Sequence, residues 1–259
     1  MTCIKTGMVK KLTENIPDWF KLTELAISET MERVSESLSS NNFPLQVKNC
    51  PLLAHWFVLD SLSLANQANR EGMHANALVA TRQCIEAISV IELGICGHPE
   101  AHLVLSEWEQ DKITPGKLRA WLQDNVWISY GSGLWNEPWA IFMREFAKSI
   151  QSYAHYGRDL AQWQMKLQSM SGDKLFLEIK PRAYDPQKAT RITLYHALLT
   201  YILGRQWLAR NQDDKQFGEL IREFGEALGK SYYFDGNTTN WSQQFWAMLW
   251  DNNGNTILE

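Results

Sequence analysis

A single line of polar side chains runs along an otherwise apolar stretch of the sequence. Arg82, Glu86 and Ser89 recur four and three residues apart, which places them on one side of a helix. The surrounding residues 77–96 are apolar around most of that helix, so we expect it to be buried. Arg82 and Glu86 then need to pair, because an unpaired buried ion is strongly destabilising. The pair either fixes how the helices pack or belongs to a polar cleft.

A histidine and an arginine follow a second helical pattern. Apolar side chains recur three or four positions apart in residues 134–165 and predict one long helix; they are Trp135, Trp139, Phe142, Phe146, Ile150 and Tyr153. Another face carries Arg144, Lys148, Gln151 and His155, and Arg158 follows one turn later. This helix therefore has an aromatic face for packing and a basic and polar face that ends in a histidine.

The chemistry of this second stretch suits proton transfer and anion binding. An imidazole has an ordinary pKa of about 6.5 and can act as a general base near neutral pH. A guanidinium can bind phosphate or stabilise developing negative charge. We therefore predict that His155 and Arg158 share a polar pocket with Arg82 and Glu86, and that Tyr153 contributes to ligand binding. The alternative for His155 is a structural histidine.

No metal or cofactor is predicted. His98 and His102 have the four-residue spacing of helical zinc ligands, but Pro99 stands where a HExxH motif needs its glutamate. The pair Glu71 and His74 fits a di-iron motif only once and lies at a helix break. The sequence also has no GxGxxG, P-loop, GxSxG or CxxC motif.

Composition limits the class of protein. The chain has 259 residues, of which 45% are apolar, 21% are charged and 12 are tryptophan, so it can bury a large core. A net charge of −4 makes binding to nucleic acid over the whole surface improbable, although a local basic groove is allowed. Four cysteines without a CxxC pair, no signal-peptide pattern and no long apolar run indicate a reduced, cytoplasmic protein outside the membrane.

The pattern is helical nearly throughout and predicts an all-α bundle of eight or nine helices. The expected helices cover residues 13–39, 51–70, 74–96, a short segment after 98, 114–127, 134–165 with an end or a kink at Gly157, 186–211, 214–229 and 240–251. We expect one domain over residues 1–259, with 170–186 as the only candidate boundary. At most one short strand lies near 174–180, and a connector is favoured there because a lone strand has no pairing partner.

Two short motifs resemble those of a known family. Residues 80–86, Ala-Thr-Arg-Gln-Cys-Ile-Glu, are followed downstream by residues 152–155, Ser-Tyr-Ala-His. Over residues 50–165 the chain resembles the HEPN-like helical proteins of bacteria. Many HEPN proteins are dimeric, metal-independent ribonucleases, often of toxin or anti-phage defence systems, in which about four to six residues separate an Arg from a following His. Others have lost that motif and serve as binding or scaffold modules.

The resemblance leaves two functions open. Residues 191–196, from Arg191 to His196, match the family's Arg–His spacing, although Ile192 stands where the family usually has a polar residue. This match implies a ribonuclease with Arg191 and His196 as catalytic residues and RNA in a local groove. His155 has no Arg at the required distance upstream. The other hypothesis is therefore a binding or interaction module, homodimeric or with a protein partner. Whether the protein is an enzyme stays open.

Overall fold

The computed structural model describes residues 17–171, 174–179 and 182–231, and within them the protein is almost entirely helical. The elements are α1 Asp18–Ser40, α2 Leu45–Arg70, α3 His74–Ile95, α4 Ala101–Glu109, α5 Pro115–Asn125, a 3₁₀ turn Trp127–Ser129, α6 Trp139–Gln151, α7 Arg158–Gln162, β1 Met165–Ser171, β2 Lys174–Ile179, α8 Pro186–Leu208 and α9 Lys215–Gly229. The all-α class is confirmed. The helix expected at 240–251 and the start of the one expected at 13–39 lie outside the described residues.

Two helices, α3 and α8, form the centre of the bundle. Both are buried around most of their circumference. Helices α2 and α3 pack closely together, α8 packs against α1, α3 and α9, and α4 and α5 cover one side of α3. Their apolar side chains join one hydrophobic cluster, and helices on both sides of residues 170–186 contribute to it.

Local capping signals set the starts of α5 and α8 where the sequence predicts them. The Thr114 side chain accepts a hydrogen bond from the Lys117 amide, and Asp185 accepts from the amides of Gln187 and Lys188. In both helices a proline occupies the first turn, where its missing N–H is not needed. These two predictions are confirmed because the signals are entirely local.

The predicted start of α2 at Pro51 is wrong, because the helix begins earlier, at Leu45, and Pro51 lies inside it. A close approach between helices accounts for the position of Pro51. A Cβ atom on Gly94 would lie 2.5 Å from Leu38 Cδ2 and 2.7 Å from Pro51 Cβ. Helix α3 therefore packs directly on the proline ring, which is buried in the α2–α3 contact.

The predicted long helix in 134–165 is also wrong, because α6 covers only Trp139–Gln151, although a break does occur at Gly157, after which α7 is a separate short helix. Between them Gly157 is extended, with φ −142° and ψ −172°, and begins α7. Trp135 lies before α6, where its indole donates to the Gly229 carbonyl at 3.1 Å. The aromatic periodicity continues through the turn because Tyr153, outside the helix, is still buried.

A β-hairpin follows α7, where we expected at most one strand. Strands β1 and β2 pair antiparallel, with Met165 opposite Ile179 and Ser171 opposite Lys174. A lone strand was not expected to form here, but residues 165–171, which had not been recognised as a strand, supply its partner β1. The buried Lys188 ammonium group joins the hairpin to α8 by donating to the carbonyls of Trp163 and Met165.

None of the helices in the described part of the chain combines the length and apolarity needed to cross a membrane.

Candidate functional site

A cavity of ≈ 520 Å³ lies among α2, α3, α4 and the start of α5. Its wall is mainly apolar, and its largest apolar side chains are Leu53, Phe57, Val90, Trp108 and Leu118. Its charged, amide and hydroxyl side chains all come from α3: Arg82, Gln83, Glu86 and Ser89. The volume lies within the range of about 300–1,000 Å³ that small-molecule sites occupy.

Each helix contributes one face to this cavity. On α2, Leu53 and Phe57 lie four residues apart, and on α3 Arg82, Glu86 and Ser89 follow the predicted line. Helix α5 contributes its first turns, whose position the Thr114 cap fixes. The site is therefore built from the side chains of helices, which hold their geometry better than loops do.

The Arg82–Glu86 pair forms as the sequence predicts. Arg82 Nη1 lies 2.8 Å from Glu86 Oε1, and the side chains are 13% and 35% exposed. Arg82 Nη2 also donates to Gln151 Oε1 at 3.1 Å, which joins α3 to the last residue of α6. Two partners hold the guanidinium in place, while the more exposed Glu86 carboxylate remains reachable from solvent.

A second arginine lies beside this pair, and the sequence analysis did not identify it. Arg119 is half-buried on α5, next to the cavity residue Leu118. Burial lowers its pKa, the Glu86 carboxylate opposes that effect, and Arg82 lowers the pKa further. Among the described residues Arg119 has no hydrogen bond or ion pair. Only its position next to a buried leucine in α5 could have pointed to it.

The other polar groups of the cavity are not activated for covalent chemistry. The Ser89 hydroxyl is buried and donates to the Ile85 carbonyl at 3.1 Å. Burial raises the pKa of the Cys50 thiol, and the nearby Glu109 raises it further. A neutral thiol is a poor nucleophile.

His155 and Arg158 do not join Arg82 and Glu86. Both side chains are exposed, and neither lines the cavity. The reason is that α6 ends at Gln151, so His155 falls in the turn that follows and not on a continuing helical face. Within the described residues, Gln151 is the nearest point at which this segment contacts Arg82.

Tyr153 lies inside the core, away from the cavity. Its ring packs edge-on against Trp163, with centroids 5.9 Å apart. Burial raises its pKa, and the positive charge of Arg191 acts in the opposite direction. The same arginine lies near Tyr195, whose pKa burial also raises. Two of the predicted site residues, Tyr153 and Arg191, are therefore neighbours, but in a buried aromatic setting.

Arg191 and His196 are buried on different sides of α8, with 1% and 9% of each residue exposed. His196 Nε2 lies 2.8 Å from Thr81 Oγ1, whose own proton goes to the Ala77 carbonyl. The histidine therefore donates to the threonine. Burial lowers its pKa to about 4, so the imidazole is neutral at neutral pH. An RNA phosphate cannot reach this pair while the core is closed.

The most deeply buried carboxyl group, Glu92, was missed by the sequence analysis. Its residue is 0% exposed, and Oε2 accepts hydrogen bonds of 2.7 Å from both Trp127 Nε1 and Gln206 Nε2. Burial raises its pKa to about 8, so the group is protonated at neutral pH. The only signal was a glutamate within the apolar run 87–96, because both partners are remote in sequence.

The histidines are also structural where their contacts are known. His74 Nε2 accepts from the Asp185 amide at 2.9 Å, so its Nδ1 carries the proton and donates to Asn69 Oδ1 at 2.8 Å. His98 packs edge-on against Trp121, and His102 lies near Phe43. Over the described ranges no group of three or more His, Cys, Asp or Glu side chains could hold a metal ion.

No protein-family model, curated protein or solved structure matches this chain. The resemblance to HEPN-like proteins therefore stays a prediction.

Proposed function

We propose that the protein is a binding module that takes a small, largely apolar molecule in the cavity between α2 and α5. One observation carries this proposal: an apolar cavity of ≈ 520 Å³ whose charged, amide and hydroxyl side chains, Arg82 and Glu86 among them, all come from one helix. Binding sites for small molecules commonly combine a large apolar wall with a few positioned polar groups. The apolar wall supplies affinity, and the polar side orients the ligand.

The cavity is reachable from solvent, as a binding site requires. Leu53 and Phe57 line it and are 66% and 43% exposed, whereas Val90 and Leu118 at its inner side are 2% and 1% exposed. An apolar molecule that enters would cover the exposed pair and contact the buried pair. Each Å² of apolar surface removed from water contributes about 25 cal/mol.

The ribonuclease hypothesis has less support. Both of its predicted catalytic residues, Arg191 and His196, are buried. His155 and Arg158 are exposed, but within the described residues neither side chain has a hydrogen bond that would orient it for catalysis. A homodimer, a bacterial defence role and a cytoplasmic location stay predictions.

The test is direct binding with a blocked-cavity variant. Calorimetry measures the affinity of decanol, decanoate and naphthol, each below its aggregation concentration, for the wild type, Ala87→Trp and Asn76→Trp. Ala87 lines the cavity, and Asn76 is exposed on the same helix. We expect at least one probe to bind the wild type and Asn76→Trp equally, and to bind Ala87→Trp at least about tenfold more weakly.

A second readout does not depend on a stable variant. Cys50 lines the cavity, whereas Cys84 and Cys96 are buried. A bound probe should slow alkylation of the Cys50 thiol in the wild type, measured peptide by peptide with mass spectrometry. The proposal is overturned if none of the three probes binds, or if a probe binds but neither slows alkylation of Cys50 nor responds to Ala87→Trp.

A further inference from the structure

The polar side of the cavity carries an excess of positive charge. Arg82 and Glu86 form an ion pair that balances itself. Arg119 interacts electrostatically with both of them, so the three groups together have one positive charge more than negative. The negative charge of Glu109 raises the pKa of Cys50. Cys50 lies on α2, whereas the three groups of this polar side lie on α3 and α5.

Arg119 is the member of this group that is left without a partner. Arg82 has Glu86 and Gln151, and Glu86 has Arg82. Among the described residues, no carboxylate or carbonyl accepts a hydrogen bond from the half-buried guanidinium of Arg119. Because a guanidinium has five N–H donors and remains charged, withdrawing it from water without acceptors is unfavourable. An anion bound beside the cavity would supply both the acceptors and the charge.

We propose that the cavity selects an elongated apolar molecule with a single anionic head group, which Arg119 binds with Arg82 beside it. The tail lies along Leu53, Phe57, Val90 and Trp108, and the head group, a carboxylate or a phosphate monoester, meets the two guanidinium groups. This inference rests on the proposed binding function and adds the ligand class to it.

The geometry distinguishes the anionic head from the other two charge types. A cationic head would meet Glu86 only where that carboxylate is already held by Arg82, and it would be repelled by Arg119. A neutral hydroxyl head accepts a hydrogen bond from Arg119 but brings no charge to balance the guanidinium. An anionic head forms charge-assisted hydrogen bonds, which are about twice as strong as neutral ones.

Four probes with the same decyl tail test the selection: decanoate, decyl phosphate, decanol and decylammonium. Calorimetry at neutral pH and low salt gives their dissociation constants for the full-length protein. We expect both anions to bind at least about tenfold more tightly than decanol, and decylammonium to bind most weakly. The tighter of the two anions identifies the head group.

Arg119→Gln removes the charge on this side of the cavity and keeps a hydrogen-bond donor. It should weaken decanoate and decyl phosphate by about tenfold and leave decanol unchanged. Lys117→Gln is the matched control, because Lys117 is exposed on the same helix and its removal changes the net charge equally. It should change none of the four dissociation constants by more than about twofold.

Two results would overturn the inference while the proposed function stands: decanol or decylammonium binding as tightly as the anions, or Arg119→Gln weakening decanol as much as decanoate. If none of the four decyl probes binds while naphthol binds, the inference fails and the proposed function stands; if naphthol does not bind either, the proposed function itself fails. The two failures are therefore distinguishable in one set of titrations.

Discussion

Two glutamates on α3, Glu86 and Glu92, lie in opposite environments although they are six residues apart. Glu86 is partly exposed beside the cavity and pairs with an arginine at 2.8 Å. Glu92 is fully buried and accepts hydrogen bonds from the neutral donors of Trp127 and Gln206. The first is a charged group that a ligand can reach. The second is a protonated group that joins α3 to the 3₁₀ turn and α8.

The difference shows which polar groups of this bundle are available for function. Burial alone does not mark a site, because Glu92, His74, Arg191 and His196 are all more buried than Glu86 and none of them lines the cavity. A polar group that ties helices together has its partners within the protein. A group available to a ligand, such as Arg119, is partly exposed next to an apolar space.

The largest expected effect is the pH dependence of stability caused by Glu92. Its pKa rises from an ordinary 4.5 to about 8 in the folded protein. The folded state therefore holds a proton that the unfolded state loses. Its stabilising contribution is complete below about pH 4.5 and is lost as pH rises towards 8, at about 1.4 kcal/mol per pH unit. Burial raises the pKa of the Cys96 thiol to about 11, so this thiol stays protonated between pH 4.5 and 8.

Urea denaturation of the wild type and Glu92→Gln over this pH range measures that loss. The free energy of unfolding of the wild type should fall relative to Glu92→Gln between about pH 4.5 and 8. Glu86→Gln is the matched control and should follow the wild type. Parallel profiles for the wild type and Glu92→Gln would show that Glu92 is ionised in the folded protein.

His74 should give a smaller pH dependence of stability, at acidic pH. Burial lowers its pKa from 6.5 to about 4, with the Asp185 carboxylate acting against this and the Lys188 ammonium group adding to it. In the neutral ring, the Nε2 atom accepts from the Asp185 amide. The stability that this histidine provides is present above about pH 6.5 and is lost as pH falls towards 4, by on the order of 3 kcal/mol.

The check for His74 is its imidazole titration by NMR, with His74→Gln for assignment. The account requires the folded protein to keep the His74 ring neutral at pH 5. A ring that protonates at its ordinary pKa would contradict the hydrogen-bond chain from Asp185 through His74 to Asn69.

Removing the charge of Glu86, the more exposed of the two glutamates, should have the smallest effect on stability. Glu86→Gln removes a partly exposed i, i+4 ion pair, and such pairs are worth about 0.3–0.5 kcal/mol. The free energy of unfolding at neutral pH, measured by thermal or urea denaturation, should therefore change by less than about 1 kcal/mol. A much larger loss would mean that the Arg82–Glu86 pair is structural, as Glu92 is.

The sequence predicted what local interactions determine. The caps at Thr114 and Asp185, the apolar faces of the helices and the Arg82–Glu86 pair all involve residues within four positions of each other. Periodicity could not place the end of α6, because the buried Tyr153 continues the aromatic pattern beyond the helix. That error put His155 on a helical face it does not occupy.

What the sequence could not predict depends on contacts between remote segments. Glu92 accepts hydrogen bonds from residues 35 and 114 positions away, and the pairing of β1 with β2 was not predicted because residues 165–171 had not been recognised as a strand. The cavity needs four helices in their places, so Arg119 could be recognised only from the structure. The sequence therefore predicted interactions within one helix, but not the contacts of that helix with remote segments.

The most direct test of the account uses two tryptophans, one in each of the compared regions. Trp108 lines the cavity, and the Trp127 indole donates to Glu92. NMR follows both indole N–H signals, assigned with Trp108→Phe and Trp127→Phe, during a titration with decanoate. The account predicts that the Trp108 signal shifts and saturates while the Trp127 signal stays in place. A titration that moves Trp127 and leaves Trp108 unchanged would contradict it.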